Sequence, residues 1–257
     1  MQSNPYQAPR SPIFDPPSAP GSEQFLAQAQ AVPASAAMGW ISSAWALFKA
    51  APMLWIALII AIVLVSALLQ LIPLAGGVLS QVTVPLFVAL IGAFADAKCN
   101  PSSGHAAPVD RVLAAIAPLL TFSAVYALIL VACSVVSLSL IYGPTEGMQI
   151  LMGAAAQPDL RFWTFLLINL ALGLPLYMCL YFAPLLIALH RLPVAEAAKR
   201  SFFACLKNIV PFLLYSLIAI ALVVVGTIPI GLGLFLVLPV LVLSQYTAYR
   251  DLFFAHA

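Results

Sequence analysis

Acid–base, nucleophilic or metal chemistry in this chain would have to come from three histidines, four cysteines and eight carboxylates among 257 residues. Their spacing assembles no catalytic machinery. A helical zinc hydrolase needs His-Glu-x-x-His, an intramembrane aspartyl protease needs two aspartates at depth, and acyl transfer needs a serine paired with a histidine. None of these patterns occurs. His105 lies in a stretch rich in Pro, Ser and Gly, His190 ends an apolar run, and His256 is next to last. Cys99, Cys133, Cys179 and Cys205 form no Cys-x-x-Cys pair. Most sit in apolar runs, where a thiol behaves as a small hydrophobe, so neither a disulfide nor a metal site is expected. No cofactor and no enzymatic activity is expected.

The remaining candidates are charges at the ends of apolar runs: Asp110-Arg111, His190-Arg191, Lys199-Arg200 and Arg250-Asp251. A basic residue near an anionic leaflet contributes about 1 kcal/mol of attraction. With the aromatic residues around them, these runs nominate Trp40, Trp45, His190, Lys199, Arg200, Lys207, Tyr246 and Arg250 as contacts for membrane lipids or a membrane protein partner. A formal net charge of +2 is too small to suggest nucleic acid. At depth there is only mild polarity: Thr121, Ser123, Tyr126, Ser134, Ser137 and Ser139, then Asn169, Tyr177 and Tyr181. These residues either pack helices together, at about 0.6 kcal/mol per interhelical hydrogen bond, or line a solute path. The packing reading is preferred. Asn169 is its strongest exception, because an amide in lipid has four hydrogen-bonding sites to satisfy.

The elements that position these residues follow from composition. Of the chain, 64% is hydrophobic and 7% charged, and a spanning helix needs about 20 mostly apolar residues. The fold class expected is all-α: a polytopic membrane helical bundle of six transmembrane helices with interfacial amphipathic helices. The spans run about 52–72, 78–95, 112–142, 162–189, 209–226 and 232–243, forming one domain over 37–254. Residues 1–36 carry seven prolines among Ser, Gln and Ala and read as a disordered tail with no apolar face to bury. The tail has no basic segment followed by an apolar one, so it is not a signal peptide. Met38 to Ala50 reads as an interfacial helix whose two tryptophans suit the headgroup layer. Asp96 to Asp110 and Gly143 to Arg161 read as loops, and Pro175 and Pro184 predict kinks in the fourth span. In Val194 to Asn208 an apolar stripe of Ala195, Ala198, Phe202, Cys205 and Leu206 stands against Glu196, Lys199, Arg200 and Lys207.

The two ends of the chain repeat one pattern. Trp45 to Lys49 before Pro52 parallels Phe203 to Lys207 before Pro211; Ile72-Pro73 parallels Ile228-Pro229; Pro85 parallels Pro239. An internal hairpin repeat accounts for this, with spans 3 and 4 as a diverged middle copy. Six spans put both termini on one side. Nine of the ten basic residues fall there and only Arg161 falls on the other, so the termini should be cytoplasmic.

Phe182-Ala183-Pro184, His190, Ser201 to Asn208, and Ser244-x-Tyr246-x-x-Tyr249-Arg250-Asp251-Leu252-Phe253, with Trp40 and Trp45 to Phe48, resemble an uncharacterised family of proteobacterial six-span inner-membrane proteins. The resemblance covers about 39–254. In layout that family is similar to the membrane domain of some glycerophosphodiester phosphodiesterases, whose hydrolase domain has no counterpart here. The resemblance implies the bacterial inner membrane and no known reaction. The function expected is a non-enzymatic inner-membrane protein that engages lipid or a partner protein at its cytoplasmic face. The alternative is a permease for a small or lipophilic solute.

Overall fold

The computed structural model of the chain describes residues 24–72, 75–101, 106–155, 157–228 and 230–255. Residues 1–23, which hold six of the tail's seven prolines, lie outside that description, as do Pro73, His105, Pro229 and His256. The described residues form ten helices: α1 (Ala36–Ala50), α2 (Pro52–Gln70), α3 (Gly76–Cys99), α4 (Pro108–Ala114), α5 (Ile116–Tyr142), α6 (Pro144–Leu151), α7 (Leu160–His190), α8 (Val194–Lys207), α9 (Ile209–Thr227) and α10 (Leu234–Phe253). Proline opens α2, α4 and α6, at the position where its missing N–H costs no helical bond.

Five helices, α2, α3, α5, α7 and α9, are long and apolar enough to cross a membrane. This is the make-up of a multi-pass membrane protein and of an all-α bundle. In α2 and α9, Leu68, Leu217 and Ile220 are among many apolar side chains exposed on the bundle surface. So many apolar groups facing outward suit hydrocarbon and not water. The buried core lies toward one end, where Leu180–Ala188 of α7 packs with the second half of α10 and α1 lies against α10 in turn.

Several expectations are corrected. Residues 24–35, read as part of the tail, pack on the bundle as a strap: Phe25 forms an antiparallel bridge with Phe254, and Ala29 joins the core. Short apolar contacts and backbone hydrogen bonds suffice for this: Leu26 N–H donates to the Phe253 carbonyl at 2.8 Å and Gln30 N–H to the Leu252 carbonyl at 2.9 Å. The third expected span divides into α4 and α5 around Ala115, because Pro118 has no N–H to offer the Ala114 carbonyl. The Gly143 to Arg161 loop contains α6, which packs so tightly against α5 that a Cβ on Gly147 would meet the Leu138 backbone at 3.0 Å. Asp96, expected to open a loop, lies inside α3.

The expected last span, 232–243, is only the apolar half of α10, which continues unbroken to Phe253. Its turn from α9 is closed by two glycines: a Cβ on Gly233 would come within 2.8 Å of the Gly226 Cα. Pro85, Pro175, Pro184 and Pro239 all lie inside helices. At Pro184 a neighbour intervenes. The Ser201 hydroxyl of α8 accepts from Phe182 N–H at 2.9 Å and donates to the Met178 carbonyl at 2.6 Å, so it sits across an i, i−4 pair of α7. Gln245 of α10 donates to the neighbouring Tyr181 carbonyl.

At mid-bundle, Asn169 Nδ2 donates to Ser137 Oγ and to the Phe165 carbonyl, both at 2.9 Å, and Ser134 Oγ donates to Asn169 Oδ1 at 3.3 Å. The amide nominated as the exception to packing thus joins α5 to α7.

Candidate functional site

The polar residues gather at the strap end of the bundle, where α3, α7 and α10 finish and α4 begins. Arg191 ends α7 in the left-handed region, at φ 55°, and Pro193 follows, so the chain turns sharply and starts α8. Glu196 in the first turn of α8 and Lys207 in its last complement the helix dipole.

The α8 face that packs inward keeps Cys205 of the predicted stripe but is rotated away from the rest of it. Ala197, Ser201, Ala204, Cys205 and Asn208 are buried, while Ala195 and Leu206 of the expected stripe are exposed. Small residues win this face because α8 must come close enough to α7 for Ser201 to reach the Met178 carbonyl. Phe203 and Leu206, 54% and 46% exposed, therefore share the outward face with Lys199, Arg200 and Lys207. Arg200 Nε donates to Glu196 Oε1 at 2.7 Å, and that bond holds the Glu196 carboxyl below its ordinary value. Burial pushes the Cys205 thiol up to about 12, so it stays protonated.

The strap closes over this helix. Asn208, 1% exposed, accepts from Val32 N–H at 2.9 Å and donates to the Gln30 carbonyl at 3.0 Å and the Ala204 carbonyl at 2.9 Å. Lys207 Nζ donates to the Ala29 carbonyl at 3.0 Å. Between residues 27–29 and α8 lies a cleft of about 630 Å³ onto which Lys199, Arg200 and Lys207 converge.

A second group lies deeper. Asp96 of α3 takes an ion pair from Arg111 of α4 at 2.6 Å and hydrogen bonds from Asn100 Nδ2 and the Tyr246 hydroxyl, both at 3.1 Å. His190 Nε2 pairs with the Tyr249 hydroxyl, and the Phe25 ring stacks on the imidazole at 3.7 Å between centroids. Trp40 Nε1 donates to Asp251 Oδ2 at 2.8 Å, and the Arg250 guanidinium lies 5.9 Å from the Phe254 ring centre. A groove of about 860 Å³ runs between strap, α1 and α10, lined in part by Trp40, Tyr246 and Arg250.

The eight nominated residues thus divide. Lys199, Arg200 and Lys207 form the outer, α8 group; Trp40, His190, Tyr246 and Arg250 belong to the inner one; Trp45 belongs to neither, stacking on Phe48 while 41% exposed. Trp40 is 2% exposed, which corrects its assignment to the headgroup layer: its N–H is satisfied inside by Asp251. Sequence reasoning missed Asp96, Asn208 and Phe25. Asp96 had a readable signal, since Asn100 follows it by four residues, one helical turn. Arg111, expected beside Asp110 at the rim, is paired with Asp96 instead.

Among the described residues no three His, Cys, Asp or Glu side chains come together so as to hold a metal ion. What the outer group offers is charge complementarity to an anion beside exposed apolar surface. No family model, curated protein or solved structure matches this chain.

Proposed function

We propose that the protein is a non-enzymatic, six-span protein of the bacterial inner membrane, with cytoplasmic termini, whose strap end engages membrane lipid through α8. The observation that carries this reading is the outward face of α8, where Lys199, Arg200 and Lys207 alternate with exposed Phe203 and Leu206. Such a face gains from both apolar burial and attraction to an anionic leaflet.

Six spans require α10 to cross. Its 20 residues are about 30 Å long, enough for a bilayer. Its polar half, with Ser244, Tyr246 and Tyr249 buried, is covered by protein instead of lipid. The orientation is supported by the nine basic residues that six spans put on the side of the termini, against Arg161 alone on the other. The helical layout is compatible with the six-span family that the chain resembles.

Two measurements test the proposal. Reporter fusions after Ala257 and near Ser103 should report cytoplasm, and one near Ala155 the outer side; a periplasmic C-terminus removes the six-span model. Protein extracted into polymer discs from bilayers of mixed phosphatidylglycerol and phosphatidylcholine should be enriched in the anionic lipid. Changing Lys199, Arg200 and Lys207 to Gln should abolish that enrichment, and equal lipid recovery in the unaltered protein overturns the reading.

A further inference from the structure

An outward cationic face needs only a surface, but α8 does not stand alone. The strap runs beside it, and Ala27, Gln28 and Ala29 form a second wall facing the α8 cations across the cleft. The walls are tied together where Lys207 Nζ meets the Ala29 carbonyl. Ala27 and Gln28 are exposed, so among the described residues nothing fills the opening. The lining sets three cations against one carboxylate, Glu196, which is already engaged by Arg200 Nε. A guanidinium carries five N–H donors and an ammonium three, so donors remain for a ligand after these internal bonds.

The cleft is also amphiphilic. Phe203 and Leu206 line it between the cations, and the apolar surface continues along the chain into α9, where Val210 and Leu213 are each 59% exposed. A free phosphate would use the cations and leave this apolar floor wet. A phospholipid would cover both.

We infer that the cleft between residues 27–29 and α8 is a binding site for the phosphate headgroup of an anionic phospholipid, with an acyl chain laid along Leu206 and the exposed face of α9. The inference rests on the reading of α8 as the lipid-engaging element and adds that the strap makes a bounded site out of an open surface.

The test uses the full chain in phosphatidylcholine nanodiscs with trace phosphatidylglycerol, lipid retention being counted by native mass spectrometry. The unaltered protein should retain phosphatidylglycerol over phosphatidylcholine by about tenfold or more, as expected for several rim cations. Ala27→Trp should fill the cleft and remove most of that preference while leaving the melting midpoint in pure phosphatidylcholine unchanged. If the indole perturbs folding, Gln28→Glu replaces it, placing an anion on the strap wall without bulk, with the same loss expected. Lys199→Gln with Arg200→Gln should abolish the preference.

Preference lost in the cation variant but intact in the strap variants overturns the bounded site and leaves the surface reading standing. No preference in the unaltered protein overturns both. Displacement of the lipid by glycerol 3-phosphate at concentrations matching the lipid's own would mean that the acyl chain contributes nothing, and overturns the lipid assignment in favour of a soluble phosphate ligand.

Discussion

The two ends of the bundle hold their charges in opposite ways. At the strap end Arg111 and Asp96 meet at 2.6 Å with side chains only 11% and 12% exposed, and Asn100 and Tyr246 complete the carboxylate's coordination. At the other end of α5 and α7, Arg161 reaches Asp159 at 3.1 Å and Glu146 at 3.3 Å and lies over the Tyr142 ring, with all three charged side chains about half exposed. Removing a buried charge's partner leaves the survivor uncompensated in low dielectric, whereas an exposed charge is met by water and salt. The inner cluster fixes how α3, α4 and α10 meet, while the far cluster does little beyond capping α7.

The largest expected effect breaks the comparison at its stronger side. Asp96→Asn leaves Arg111 buried without its counter-charge and should destabilise the folded protein by about 3–5 kcal/mol. Thermal melting in detergent reads this directly, and adding Arg111→Met should restore much of the loss. Arg161→Ala should leave the midpoint unchanged within error. Should Asp96→Asn behave like Arg161→Ala, the two ends are energetically alike and the contrast fails.

A smaller effect sharpens the role of the strap. Asn208→Ala strips the strap of two hydrogen bonds and leaves a half-buried Val32 N–H without its acceptor, at a cost of about 1 kcal/mol. Phe25→Ala removes the stack on His190, which contributes about 1 kcal/mol. Both variants should be cleaved faster by protease between residues 24 and 35. Unchanged cleavage would return those residues to the tail.

The lipid-facing helices were legible because composition alone decides them: α2 and α9 are runs of Leu, Ile, Val and Ala with hardly a choice of face. The basic rim was legible for the same reason. The strap was not, since its register depends on donors from its own backbone meeting the Leu252 and Phe253 carbonyls, and backbone groups leave no mark in a sequence. The face of α8 was legible at Cys205 but not at Leu206, because hydrophobic periodicity assumes that large apolar residues turn inward. Beside a bilayer they can turn outward, and small residues take the inner face so that helices approach. The Arg111–Asp96 pair is 15 residues apart and is set by how α4 packs against α3, which no local pattern encodes.

The smallest effect concerns the far end and its pH dependence. Asp159 caps α7 by accepting from Phe162 N–H at 3.0 Å, and that bond, reinforced by Arg161, holds its carboxyl below the ordinary 3.8. A group whose value is lowered by folding stabilises the protein fully above its unfolded value, and the contribution is lost as pH falls through the folded one. The loss therefore sets in around 3.8 and is complete beneath the depressed value, and the contribution is fully present near neutrality. Asp159→Asn keeps an oxygen for the cap but cannot titrate, so its melting midpoint should match the unaltered protein's near pH 7 less closely than it does at the acid end, where the two curves converge. Salt should shrink the neutral-pH difference, because the half-exposed Arg161 bridge is screened. A difference that widens as pH falls would show that the carboxylate is disfavoured in the folded state, and would make this end resemble a buried site after all.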